Sequence, residues 1–410
     1  MARRTDSAII PVSAGGIVAI LGMLSAFAPM ATDMYLPGFH LMAEHFGVAE
    51  GGIEVTLPVF FLGLAAGQAV YGPLIDRFGR RGPLLAAVGL YVIATIFCLF
   101  TADINTFIAL RFLQAVGGCA GMIIGRAIVS DLFDAYESAR ALSLMMVVMT
   151  IAPILAPILG GFIITHAGWK AVFVVMLAFG LVCAALVWFF IPETLPVDRR
   201  KKEGIGGVLL TWFRLLSTRS FVVPCVVGGL AQACMFAFIT GSPYVFITLH
   251  GASAQGYGLL FALIAVALIV FAQANRVALR RRGPAFLLGV ALVLNMVAGI
   301  LCVAAVTTGN LVALLAPLWF AIGALGFIGA NAAAVAMRAS GGSPGSGSSL
   351  IGILQFGFAF IVSSLVAAFQ NGTAYPMTAA IATCGTLATL LWFAAGRDHT
   401  KHDHASASAD

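Results

Sequence analysis

The chain has 410 residues, of which 61% are hydrophobic and only 9% are charged. Soluble domains carry about 25% charged residues, so this composition excludes a soluble globular protein. The net charge of +6 would suggest a nucleic-acid partner in a soluble protein, but here the placement of the charges matters more than their total, and we expect no nucleic acid.

Apolar runs long enough to cross a bilayer follow one another along the whole chain. They are predicted at 17–37, 54–74, 83–102, 106–128, 141–165, 171–191, 221–248, 256–275, 284–306, 311–336, 347–370 and 375–395. A polar connector separates the sixth run from the seventh. The sequence therefore predicts an all-α membrane protein, with twelve transmembrane helices in two pseudo-symmetric six-helix bundles.

The predicted domains follow from these runs. They are a cytoplasmic N-terminus (1–16), an N-terminal bundle (17–191), a cytoplasmic linker (192–220), a C-terminal bundle (221–395) and a disordered cytoplasmic tail (396–410). A short repeat supports the two halves, because Arg-Arg-Gly-Pro opens both the third run, from Arg80, and the ninth run, from Arg281. The seven cysteines lie in apolar stretches without metal-ligand spacing, so we expect free thiols and no metal site.

The basic residues predict the orientation in the membrane. The connector is the densest basic stretch, and if it faces the cytoplasm, alternation puts every other Lys and Arg on that side except Lys170, Arg111 and Arg126. Both termini are then cytoplasmic. We also expect the first run to remain as a membrane helix, because no small-residue cleavage pattern follows it.

Two ionisable residues stand inside apolar runs. Asp33 lies near the predicted outer end of the first helix, where Pro37 is expected to end it, and Arg111 lies at comparable depth in the fourth. Charged groups at membrane depth are expensive and usually functional. A nearby Arg111 would make the proton affinity of Asp33 sensitive to small movements, as proton coupling requires. The alternatives are an aspartate hydrated from outside and a structural salt bridge.

Other candidates have conformational roles. Gln114 lies on the face of Arg111, and Arg126 lies near the inner end of the same helix, where Asp131 follows. The segment 72–81 is predicted to be a patterned loop that locks one end of the protein, and its gating residues are Gly72, Asp76, Arg77, Gly79, Arg80 and Arg81. In the fifth helix, bending and close packing are predicted by Pro153, Pro157, Gly160 and Gly161.

Several of these segments resemble the major facilitator superfamily. Residues 72–81 resemble its signature loop, and 111–117 resemble the arginine motif of its fourth helix, which is associated there with proton transfer. Residues 153–161 resemble its antiporter motif, although Ala156 stands where that family usually has Gly. More narrowly, segments 33–37, 67–68, 192–196 and 242–245 resemble the bicyclomycin-resistance (Bcr/CflA) drug exporters.

That resemblance implies a drug:proton antiporter of the bacterial inner membrane, with a central cavity lined by the first, fourth, seventh and tenth helices. The candidate substrate contacts combine aromatic area with a few polar groups, and they are Met30, Tyr35, Gln114, Met122, Gln232, Phe236, Tyr244, Asn331, Gln355 and Phe358. Each of them is equally compatible with bundle packing.

The expected function is proton-coupled export of small molecules by alternating access. The proton gradient supplies the energy, so we expect no cofactor and no nucleotide, and the expected partners are the bilayer, protons and a small-molecule substrate, with the protein as a monomer. A proton symporter or facilitator importing a nutrient such as a sugar remains the alternative. An enzyme is not expected, because no catalytic motif occurs in the spans.

Overall fold

The structure, a computed structural model, describes residues 13–200, 205–340 and 344–395. In this part of the chain all regular structure is helical, and twelve helices are long and apolar enough to cross a membrane. We number these spans α1 to α12: Ala14–Phe46, Gly51–Phe78, Arg81–Phe100, Ile104–Leu132, Tyr136–Ala167, Trp169–Phe190, Arg219–Leu249, Ala254–Ala278, Pro284–Val306, Leu311–Arg338, Gly345–Ala368 and Tyr375–Ala395. The predicted all-α, twelve-span fold is confirmed.

The helices form two bundles with equivalent packing. In the first half α4 packs against α2 and α3, and α3 against α6; in the second half α10 packs against α8 and α9, and α9 against α12. The halves meet chiefly through two helix pairs, α2 with α11 and α5 with α8. The predicted terminal segments and the basic pair Lys201 and Lys202 lie largely outside the described residues.

Span α1 is longer than predicted. We expected Pro37 to end it, but the chain turns through a short 3₁₀ segment, Leu36–Gly38, and continues as helix Phe39–Phe46. Proline is compatible with the first turn of a helix, because the N–H it lacks has no partner there. Asp33 is therefore several turns from the end of its span, deeper than the sequence indicated.

The two ends of the molecule are named here by the connector. The end that carries Ile191–Thr218 is the linker side, and the opposite end is the far side. The connector was predicted only as a cytoplasmic linker, and it contains an α-helix, Ile205–Leu216, which we call the linker helix.

The predicted loop 72–81 is mostly helix. Span α2 continues to Phe78 with Pro73 inside it, and the turn to α3 needs only Gly79 and Arg80. Gly79 has a φ of 91°, which side-chain-bearing residues rarely adopt. An added Cβ there would also collide with the Glu193 carboxylate. The signature segment is thus a helix end followed by a tight turn.

On the far side, α5 packs backbone to backbone against both halves. A Cβ at Gly160 would meet the carbonyl of Met34 in α1, and one at Gly161 would meet the carbonyl of Ala254 in α8. Pro153 and Pro157 both lie within the continuous helix α5. Small residues permit such contact between membrane helices, so α5 joins the two bundles at this end.

The seven cysteines are all buried and free, as predicted.

Candidate functional site

Asp33 lies within α1, and only 3% of its surface is exposed. Its Oδ1 is buried and has no hydrogen-bond partner among the described residues. The neighbouring Thr32 hydroxyl donates at 2.9 Å to the Ala28 carbonyl of its own helix. Burying an ionised carboxylate with one oxygen unpartnered is expensive, and a coupling role for this side chain stays a prediction.

Arg111 in α4 is fully buried and held by several groups at once. Its Nη1 donates to Gln114 Oε1, and its Nη2 donates to the Ala31 carbonyl at 2.5 Å. The guanidinium also lies 4.3 Å from the ring centroid of Tyr35 and 4.4 Å from that of Phe60. Desolvated cation–π contacts of this kind contribute about 2 kcal/mol each, so the guanidinium is fixed in place.

The direct pair expected between Asp33 and Arg111 is not formed in this conformation. The guanidinium reaches the α1 backbone at Ala31, just before Asp33, but no ion pair between the two side chains occurs among the described residues. A carbonyl, an amide and two rings already surround Arg111. The position of Arg111 on α4 places it beside α1, as predicted. Its contacts direct the guanidinium to the Ala31 carbonyl of α1 instead of the Asp33 side chain.

Gln114 extends this arrangement into α3. Its Nε2 donates at 2.7 Å to Thr95 Oγ1, which donates at 2.6 Å to the Tyr91 carbonyl. Gln114 is fully buried, and it orients Arg111 in this conformation. Tyr35 is also fully buried, and its hydroxyl lies 2.9 Å from Thr56 Oγ1. Thr95 and Thr56 were not identified from the sequence, since threonine is unremarkable in an apolar span.

A cavity of about 180 Å³ lies in the C-terminal bundle between α7, α10 and α11. Two of the predicted substrate contacts, Gln232 and Gln355, line it together. The other lining residues are Pro224, Cys225, Gly228, Gly229, Gly329, Ala332, Ala333, Ala336 and Ile351. Two amides in a wall of small, uncharged residues can bind an apolar molecule and fix its orientation through a few hydrogen bonds.

The other aromatic and amide candidates lie elsewhere. Phe236 packs on Phe61 of α2 at 4.5 Å between centroids. Asn331 is buried, and its Nδ2 donates at 2.8 Å to Asn275 Oδ1 of α8. Tyr244 is on the far side, in a small crevice between the halves. The predicted contacts of these three residues with a substrate stay predictions. Asn331 would have to move away from Asn275 to make such a contact.

The remaining candidates are helix contacts. Met30 and Met122 are half-buried against the main hydrophobic core. Phe358 of α11 packs against Gly229 of α7. Arg126 donates through Nε to the Met122 carbonyl of its own helix at 2.8 Å.

The linker side carries a charged network around Arg80. Its Nη1 donates to Asp76 and its Nε to Asp131, each at 2.9 Å. Burial lowers the pKa of Arg80, but hydrogen bonds and attraction from Asp131 and Asp76 outweigh this and hold the pKa above its usual value. The side chain therefore stays charged and joins α2 to α4. Arg77 lies outside these contacts and sits over the Phe78 ring.

Glu193, at the start of the connector, completes this network. Its carboxylate accepts from the backbone N–H of Arg80 at 2.8 Å and of Leu195 at 3.0 Å. Thr194 donates to Asp131 at 2.9 Å, and Arg81 donates to the Trp188 carbonyl at 2.7 Å. A carboxylate at the first turn of α3 also interacts favourably with the helix dipole. In the sequence, segment 192–196 was notable only for its resemblance to the Bcr/CflA exporters. The contact of Glu193 with the start of α3 was not predicted.

Two six-helix bundles with buried polar groups at membrane depth define a class of membrane transporter. The family described as Major Facilitator Superfamily matches residues 21–365. This chain belongs to the major facilitator superfamily, and it is a multi-pass transporter rather than an enzyme.

Its similarities to particular proteins agree with this. It is 32% identical over 381 residues to the uncharacterized MFS-type transporter YdgK of Bacillus subtilis, covering 91% of this chain and 94% of the relative. It is 30% identical over 377 residues to a bicyclomycin resistance protein homolog of Haemophilus influenzae, with the same two coverages, 91% and 94%. The xylose transporter XylE from E. coli shares the fold, with a TM-score of 0.71, 14% identity, and coverage of 92% of this chain and 97% of that one.

Proposed function

We propose that the protein exports small molecules from the cytoplasm in exchange for protons, by alternating access. One observation carries this proposal: Asp33 is buried inside a spanning helix, and one of its oxygens has no partner in the described structure. A neutral carboxylic acid is far less costly to bury than a carboxylate. A conformation that hydrates Asp33 would therefore release the proton that a closed conformation retains.

The far-side closure supports the alternating step. The packing of α5 against α8 through Gly161 and Ala254 seals that end between the bundles. Rocking of one bundle on the other would break this contact and open a path to Asp33. Arg111 is held to α1 through the Ala31 carbonyl, so a movement of α1 relative to α4 would change the electrostatic surroundings of Asp33 at the same time.

The orientation proposed for this cycle puts the linker side in the cytoplasm. Arg80, Arg200, Arg214 and Arg219 lie at that end, and cytoplasmic segments are enriched in Lys and Arg. In that orientation protons enter from the far side, down their gradient, and each charge moved supplies about 2.3 kcal/mol per 100 mV. No bound cofactor is needed, and we propose a monomer as the transporting unit.

The proposed substrates are mainly apolar molecules with hydrogen-bonding groups. The cavity shared by Gln232 and Gln355 presents two amides and no charged residue. The resistance named for the similar protein of Haemophilus influenzae agrees with a drug-like substrate class.

Proton movement in inside-out vesicles tests the function. Addition of bicyclomycin or another drug that the protein extrudes should make the lumen more alkaline, because protons leave as the drug enters. Asp33→Asn should insert normally and abolish this signal, since the amide cannot exchange a proton. A matched amide change at an exposed carboxylate, Glu137→Gln, should leave it intact.

Two results would contradict the proposal. Acidification of the lumen by the added molecule would indicate symport, and with it a nutrient importer. Proton-driven export by Asp33→Asn at the wild-type rate would show that another group couples the proton.

A further inference from the structure

The linker helix lies at the edge of the membrane. It ends at Leu216, and α7 begins at Arg219, so only two residues separate them. At the 3.3–3.6 Å that each residue spans at most, this connection covers about 10 Å. The turn is fixed further by backbone hydrogen bonds, with Thr218 N–H donating to the Leu215 carbonyl at 3.0 Å. The helix is therefore held close to the level where α7 enters the bilayer.

One side of the linker helix is packed against the C-terminal bundle. Leu215 is 5% exposed, and Trp212 packs beside it. Together they form a separate hydrophobic cluster with residues of α7, α10 and α11, namely Phe221, Cys225, Ala336 and Leu350. This cluster anchors the helix to one bundle.

A second apolar side of the same helix is uncovered. Leu210 and Phe213 are 64% and 67% exposed, and Leu209 and Leu216 are exposed as well. With about 100° between successive residues, these four side chains occupy an arc next to that of Trp212 and Leu215. Thr211 and Arg214 would lie on the opposite, polar arc. The helix is thus apolar over more surface than the bundle covers.

Basic residues occur within the linker helix and just before it in the sequence. Arg214 is exposed within the helix, and Arg200 precedes it with a partly exposed side chain. Lys201 and Lys202 also precede the helix in the sequence. A helix with an apolar side, a polar side and basic flanks binds in the plane of a membrane interface, and it favours anionic lipids.

We propose that the linker helix is an interfacial anchor whose uncovered side, Leu209, Leu210, Phe213 and Leu216, inserts into the membrane surface beside α7, with Arg214 on anionic phospholipid headgroups. The bilayer is the occupant that the geometry favours, because the helix is held within two residues of a spanning helix and its basic flanks match a negatively charged surface. The inference does not depend on which molecule the protein transports.

This anchor would connect lipid to bundle movement. The helix is fixed to the C-terminal bundle through Trp212 and Leu215, whereas the start of the connector is fixed to the N-terminal bundle through Glu193. The connector is therefore attached to both bundles. Its attachment to the C-terminal bundle is the linker helix, which on this proposal lies on the membrane surface. Lipid that holds the helix would restrain the relative movement of the bundles.

Depth-dependent fluorescence quenching tests the insertion. The full-length protein is reconstituted as Phe213→Trp or as the matched control Thr211→Trp, in vesicles with and without brominated phospholipid. After subtraction of the wild-type signal, we expect several-fold stronger quenching by brominated lipid for Phe213→Trp than for Thr211→Trp. Equal quenching of the two variants would overturn insertion, as would a Phe213→Trp signal shielded from both lipid and an aqueous quencher, which would indicate a protein partner.

The proposed preference of the linker helix for anionic phospholipid has a separate test. Phosphatidylglycerol in phosphatidylcholine vesicles should raise the thermal unfolding midpoint of the wild-type protein, and Arg214→Gln should reduce this shift. Arg140→Gln, which removes an exposed charge at the start of α5, should retain it. A shift as large in Arg214→Gln as in the wild type would overturn the proposed headgroup contact.

Discussion

Arg111 is fixed by groups from three helices of the N-terminal bundle. The Ala31 carbonyl of α1, Gln114 of α4 and the Phe60 ring of α2 contact it from different directions. A planar guanidinium serves such a site better than an ammonium group does, because its donors point in several fixed directions and its faces stack on rings. The geometry around Arg111 therefore depends on the planar, branched guanidinium and not only on its positive charge.

Arg111→Lys is expected to reduce both stability and transport. The ammonium group cannot reach the Ala31 carbonyl and Gln114 together, and a buried group left without its hydrogen bond costs about 1–3 kcal/mol. Thermal unfolding in detergent and drug efflux from cells measure the two effects. Arg140→Lys is the control at an exposed position. Wild-type stability and efflux in Arg111→Lys would contradict this view of the site.

The sequence identified these residues only in part. Asp33 and Arg111 were identifiable because a charge in an apolar run needs an explanation. Their contacts were not, since sequence spacing gives depth along a helix but does not determine which way a long, flexible side chain points. Thr95 could not be identified either, because a single threonine at helix depth often bonds only its own backbone.

At the scale of elements, the contact between α5 and α8 should control the far side. Gly161→Ala would place a Cβ against the Ala254 carbonyl, so it should weaken the closed far side and favour opening there. Labelling of a Tyr244→Cys variant by an impermeant maleimide added from the far side should increase when Gly161→Ala is added. Gly89→Ala is the control, because a Cβ at that position meets open space. Unchanged labelling would argue against this contact as the seal.

Glu193 provides a second prediction at this scale. Glu193→Gln keeps the size of the side chain but removes the charge that accepts from the Arg80 N–H. Loss of a capping interaction at a helix N-terminus lowers the free energy of unfolding by about 0.5–2 kcal/mol. The midpoint of thermal unfolding should therefore fall. Glu137→Gln, an exposed change in the first turn of α5, should leave the midpoint nearly constant. An equal effect of the two changes would mean that Glu193 does not stabilise the turn.

Most helix bounds were predictable, because runs of apolar residues are a strong signal for spans. Two of the wrong predictions have clear physical causes. Pro37 predicts a helix end, but proline also suits the start of a new helical segment. The linker helix was not predicted because its flanks are densely basic, although Leu209, Trp212, Leu215 and Leu216 have the spacing of an amphipathic helix.

For the whole molecule, the orientation is the remaining prediction. If the linker side is cytoplasmic, a fluorescent protein fused after Asp410 should fold and emit, and alkaline phosphatase fused there should be inactive. A fusion truncated after Gly168, in the turn between α5 and α6, should give the reverse pattern. The same outcome at both positions, or the opposite assignment, would refute the predicted orientation.

The surroundings of Arg111 and the cavity beside Gln232 are formed by different halves of the chain. The groups that contact Arg111 come from the N-terminal half, whereas the described residues that line the cavity run from Pro224 to Gln355 in the other half. On the proposed function, the candidate coupling residues Asp33 and Arg111 and the cavity of Gln232 and Gln355 are then encoded in separate stretches of the gene. Substitutions around Gln232 and Gln355 should therefore alter which compounds fit this cavity while the proton-handling half stays unchanged.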